Sequence, residues 1–91
     1  MKFFKSKTSQ IDEQMFFYIQ RIMNLMGKKA YKFTNVSPSL AKLLKREYIG
    51  EYLKESQTFF MNFNKNKDVV SINCTLGELE TLLAKLLKEG I

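Results

Sequence analysis

Ninety-one residues, 45% hydrophobic and 13% aromatic, supply one compact core and leave no room for two independent domains. A formal net charge of +6 and a pI near 9.5 point to polyanionic partners, nucleic acid first among them. The longest apolar run, Met15 to Ile19, is far short of the roughly 20 residues that span a bilayer. The lone Cys74 has no partner for an internal bridge, and the chain opens on a polar, lysine-bearing stretch; both fit a soluble protein of a reducing intracellular compartment.

Residues 1–9 read as a basic arm, with Lys2, Lys5 and Lys7 around Phe3 and Phe4, and 10–91 as a single domain. Ser9 followed by Asp12 resembles a helix start. Ile11, Met15, Tyr18, Ile19, Ile22 and Met26 then recur at helical spacing, which predicts a helix over 10–26 that Gly27 can end. Phe16, Phe17 and Met23 widen its apolar surface, as in a helix covered on more than one side. The loose alternation of Lys28 to Thr34 suggests a short strand.

Ser37-Pro38 opens a second helix, because proline at the first helical position lacks only a donor that would be unpaired anyway. Leu40, Ala41, Leu43, Leu44 and Tyr48 form its inner face and Lys42, Lys45 and Arg46 its outer one. Glu47, Glu51 and Glu55 would stack like charges if the helix ran on, so its end belongs near Glu47, with Tyr48 to Leu53 a bend or short strand.

Phe59, Met61 and Phe63 alternate with Phe60, Asn62 and Asn64, and Val70, Ile72 and Cys74 with Val69, Ser71 and Asn73. This predicts an antiparallel hairpin from Thr58 to Cys74 with a basic tip at Lys65 and Lys67. Thr75 and Glu78 fit a capping box, and Leu76, Leu79, Leu82, Leu83, Leu86 and Leu87 give the last helix a clean apolar stripe. The expected fold is α+β, one domain in the order α-(β)-α-β-β-α, a small antiparallel sheet with helices packed on it.

Little in the chain suits catalysis. Without histidine there is neither the usual neutral-pH general base nor the commonest metal ligand, and one cysteine makes no zinc site. Glycine-rich phosphate loops do not occur. The carboxylate pairs Glu47/Glu51 and Glu78/Glu80 are better explained as solvated faces and a cap. No catalytic residue, cofactor or metal is expected.

The cations fall in four places: the arm, the stretch holding Lys28, Lys29 and Lys32, the helix face Lys42, Lys45 and Arg46, and the tip Lys65 and Lys67. Each alone is an ordinary surface charge. Together they can neutralise phosphates, which supplies affinity without sequence information. Arg21 and Asn24 add hydrogen-bonding groups for phosphate, sugar or base edges.

The segment Arg21-Ile22-Met23-Asn24, a lysine-rich stretch and then Leu43-Leu44-Lys45-Arg46-Glu47-Tyr48-Ile49-Gly50-Glu51-Tyr52 resemble the amino-terminal half of ribosomal small-subunit protein eight. In that family an arginine-isoleucine-x-asparagine helix leads through a strand to a helix with a similar closing phrase, and a hairpin follows. The resemblance covers roughly residues 10–73. It implies a ribosomal RNA-binding scaffold with an α-β-α-β-β unit, in which Arg21, Asn24 and Thr34 would touch RNA. The family's glycine between Glu47 and Tyr48 is missing, Asn35 replaces a lysine, and a leucine-rich helix stands where the family has its second RNA-binding domain.

Two other readings fit the same residues. A winged-helix DNA-binding domain would offer Lys42, Lys45 and Arg46 to a groove and use Lys65–Lys67 as its wing. A small protein that docks on another protein would use surplus aromatics, Phe3, Phe4, Phe16, Phe17, Phe59 and Phe60, and the Leu76–Leu87 helix could likewise meet a neighbour.

Overall fold

The computed structural model describes residues 7–61 and 68–90. Helix α1 (Lys7–Met26) is closed by Gly27, whose φ of +87° and N–H bond to the Met23 carbonyl form a left-handed cap. It begins earlier than Ser9 and Asp12 suggested. Asp12 lies inside the helix, and its carboxylate serves the next helix instead.

Strand β1 (Ala30–Thr34) follows, and Asn35 turns the chain out of it at φ +59°, a left-handed conformation that asparagine tolerates better than most residues. Helix α2 (Pro38–Glu47) starts as its sequence demands. Ser37 caps it, its hydroxyl accepting from the Leu40 N–H at 3.1 Å, and Pro38 takes the first turn. Strands β2 (Gly50–Leu53), β3 (Thr58–Met61) and β4 (Val69–Asn73) precede α3 (Leu76–Lys88), where Thr75 caps by accepting from the Glu78 N–H.

The strands form one sheet in the order β2-β3-β1-β4. Antiparallel ladders join β2 to β3 and β3 to β1, whereas β1 and β4 run parallel, so the sheet is mixed. The class and the element order are those expected, but the hairpin is not. The two strands placed at Thr58–Met61 and Val69–Asn73 do not pair with each other, because β1 lies between them. The true hairpin is β2–β3, turned by Lys54 to Gln57. The supposed basic tip, Lys65 and Lys67, lies outside the described residues.

One apolar core fills the space between the helices and a single face of the sheet. Tyr31 and Phe33 of β1, Phe59 and Met61 of β3, and Ile72 of β4 meet Met15, Ile19 and Ile22 of α1, Leu40, Ala41 and Leu44 of α2, and Leu79, Leu83 and Leu86 of α3. Burial of these side chains contributes about 1.5–3 kcal/mol apiece, which is what holds the helices on that face. The tyrosines there keep their hydroxyls satisfied: Tyr31 donates to the Gly27 carbonyl and Tyr52 to the Val36 carbonyl, both at 2.6 Å. Most of the α3 leucine stripe is spent inside the molecule, leaving Leu87 about half exposed.

Where α1 meets α2, Asp12 is almost wholly buried and accepts hydrogen bonds from the hydroxyls of Ser37 (3.2 Å) and Ser39 (2.5 Å). The carboxylate thus sits at the positive end of the α2 dipole and ties the two helices together. Phe16 packs half-buried beside Tyr48 and α1 lies against both α2 and α3, so it is covered on more than one side as its wide apolar surface suggested, while Phe17 stays 65% exposed.

Candidate nucleic-acid interface

The sites proposed from sequence fall on two different surfaces. On the helical layer, Lys42, Lys45 and Arg46 share the outward side of α2, opposite Leu40, Ala41 and Leu44. Spaced three and four residues apart, they are neighbours within little more than one turn. Lys45 and Arg46 also lie in the last turn, where the helix dipole favours positive charge. On the adjacent α1, Arg21 and Asn24 are exposed, and Lys28 and Lys29 are exposed in the connection to β1.

Lys32 and Thr34 belong elsewhere. Side chains alternate along a strand, so these two project from the face of the sheet opposite the core. The ladders define what surrounds them. One row across the sheet reads Glu51, Phe60, Lys32, Ser71; beyond it Leu53 pairs with Thr58 and Thr34 with Asn73. Asn35 Nδ2 donates to Asn73 Oδ1 at 2.6 Å. The sequence marks Phe60 only as one of the surplus aromatics of the docking reading, and it does not mark the Asn35–Asn73 pair as a site. The alternation of Phe59 with Phe60 carries that information, but only once it is known which face the helices cover.

Charge is distributed unevenly along the chain. From Lys7 to Glu47 there are eight basic residues against three acidic ones, of which Asp12 is buried; from Tyr48 onward there are five against six. The α1-β1-α2 unit therefore carries the positive excess, and α3 with the β2–β3 hairpin carries none. An open depression at the β2–β3 turn is lined by Tyr52, Leu53, Lys54, Glu55 and Ser56. Among the described residues no cluster of histidine, cysteine, aspartate and glutamate could hold a metal ion. The one thiol, Cys74, is buried, and burial pushes it up to about 12, away from reactivity.

Comparisons with family models, with curated proteins and with solved structures return no match. What the chain binds must therefore be argued from its own surfaces. Two features bear on the readings raised by the sequence. Among the described elements no two helices are consecutive, since β1 separates α1 from α2, and β1 also stands between β3 and β4, so these two strands do not form the hairpin expected to carry the wing. No described helix is long and apolar enough to cross a membrane.

Proposed function

We propose that this protein binds RNA without catalysing a reaction on it, as a structural component of a ribosomal small subunit. The observation that carries the reading is the outward face of α2, where Lys42, Lys45 and Arg46 project together from the half of the chain that holds the positive excess. Three cations held on one helical turn match the spacing of a phosphate backbone better than scattered charges do, and they provide affinity without demanding a base sequence. Arg21 and Asn24 on the neighbouring helix extend this surface. The succession α1-β1-α2 is in keeping with the resemblance to ribosomal small-subunit protein eight, whereas the hairpin which that resemblance implies at Thr58 to Cys74 does not form.

The test has two arms. Replacing Lys42, Lys45 and Arg46 together by glutamine should leave the fold intact, because all three are exposed, and should reduce the slope of log affinity against log salt for a structured RNA by about 2–3. An unchanged slope would remove α2 from the interface. In the native cell, the protein should remain with ribosomal subunits through a high-salt wash; recovery only in the free fraction would refute the ribosomal assignment.

A further inference from the structure

Helix α1 carries one aromatic ring that the core does not use. Met15, Ile19 and Ile22 are buried on one side of it, whereas Phe17 is 65% exposed and has no ring beside it among the described residues. Arg21 and Asn24, both exposed, follow Phe17 by four and seven residues. At about 100° per residue, the three lie within about 60° of one another on the outward side of the helix. Contacts between the helices set this stripe beside the cations of α2. Asp12 meets Ser37 and Ser39 at the start of α2, and Phe16 lies beside Tyr48 just past its end, so the two helices run in the same general direction. Ser39 thus marks the flank of α2 that faces α1. Lys42 and Arg46, three and seven residues further on, share that flank and are exposed. The remaining neighbours of Phe17 along its own helix, Gln14 and Gln20, are polar as well. A docking protein would find a single apolar group in this setting, too little for a hydrophobic contact. A nucleobase brings one flat apolar face with a negative phosphate attached, which is what an isolated ring bordered by Arg21, Lys42 and Arg46 complements.

We propose that the border between α1 and α2 binds an unpaired RNA base, stacked on the Phe17 ring. The inference rests on the RNA-binding reading and sharpens it, from phosphate contact alone to a preference for unpaired RNA. Arg21 and Arg46 take the phosphates next to the stacked base, and the Asn24 amide offers both a donor and an acceptor to a base edge. The footprint ends at the acidic Glu13, one turn before Phe17, and extends the other way towards Asn24 and Lys28. Duplex RNA cannot use the ring, because its bases are already stacked and paired.

Binding of a short unstructured RNA oligonucleotide, followed by fluorescence anisotropy, separates the possibilities. Phe17→Ala should weaken it about 5- to 150-fold, the loss of one base–aromatic stack, and should leave its salt dependence as in the parent, since no phosphate contact is removed. Phe17→Tyr, which keeps an aromatic face, should recover most of the affinity. Leu53→Ala trims an exposed apolar residue on the opposite face of the sheet and should change nothing. A thermal melt of each variant establishes that it is folded. If folded Phe17→Ala binds the oligonucleotide like the parent, or if duplex RNA of equal length competes equally well, the stacking site is wrong while the α2 surface stands. If the parent binds no RNA of any kind, the functional reading fails and this inference with it, and the exposed ring is left to a protein contact.

Discussion

Gly50 opens β2 at a point where the backbone runs against the core, and replacing it with alanine should cost much of the protein's stability. A Cβ built there lies 2.5 Å from Phe59 Cζ, 2.7 Å from Phe59 Cε2 and 2.6 Å from the carbonyl oxygen of Phe60. Ordinary contact needs about 3.5–4 Å, so roughly 1 Å of movement is required in two directions at once. Neither neighbour yields readily. Phe59 is fully buried in the core, and the Phe60 carbonyl belongs to the ladder that pairs Gly50 with Met61. Overpacking of this kind costs about 1–3 kcal/mol, and the rigid surroundings place Gly50→Ala near the top of that range. For a domain of this size, about 3 kcal/mol lowers the thermal midpoint by about 12–24 °C. Gly77→Ala is the matched control: in the first turn of α3 an added methyl meets nothing, and the change should be neutral or stabilising by about 0.5–1 kcal/mol. Thermal melts of the two variants followed by circular dichroism decide the matter. A Gly50→Ala midpoint within about 2 °C of the parent would refute the close approach of β2 to Phe59.

Asp12→Ala removes the carboxylate that accepts from Ser37 and Ser39, and with it the tie between α1 and the start of α2. A loss of about 2 kcal/mol is expected in urea unfolding, since both hydroxyls lie near enough to the surface to find water; an unchanged midpoint would show that the contact contributes nothing. Cys74 makes the fold sensitive to alkali. Its thiol ionises near pH 9.0 in the unfolded chain and about 12 in the folded one, so the buried neutral thiol adds stability that is fully present below pH 9 and is lost as the pH rises towards 12. Burial raises Tyr31 and Tyr52 in the same sense, so the measurement is the difference between parent and Cys74→Ala, whose stability–pH curve should fall less steeply above pH 9. Superimposable curves would exclude the thiol as the cause. In the native protein Cys74 should also resist alkylation at pH 8 until denaturant is added.

The helices were readable because their ends are written in local chemistry. Ser37-Pro38 and the Thr75/Glu78 cap act within one turn, and a leucine stripe needs only the chain's own periodicity. The sheet was not readable to the same degree. Alternation around Phe59 and Ile72 identifies strands and their faces, but contains nothing about which strand lies beside which. Two features misled in combination. The β2–β3 turn has Gln57 at φ +53° where glycine or asparagine would have announced a hairpin, while the polar stretch before Asp68 looks like a turn and joins strands that β1 keeps apart. Of the candidate site, Lys42, Lys45 and Arg46 followed directly from helical spacing. Lys32 was found only as a charge. Its position next to Phe60 depends on pairing across nearly thirty residues of sequence, which no local pattern records.

The central place of β1 constrains the order in which the protein can take shape. Residues 30–34 emerge early during synthesis, yet both of their ladder partners, 58–61 and 69–73, come much later. Until the second of these leaves the ribosome, one side of β1 exposes bare amides and carbonyls, and the nascent chain must keep Tyr31 and Phe33 from other partners in the meantime. The sheet should therefore close late and in one cooperative event, and a chain stalled before Val69 should be trapped with that edge uncovered.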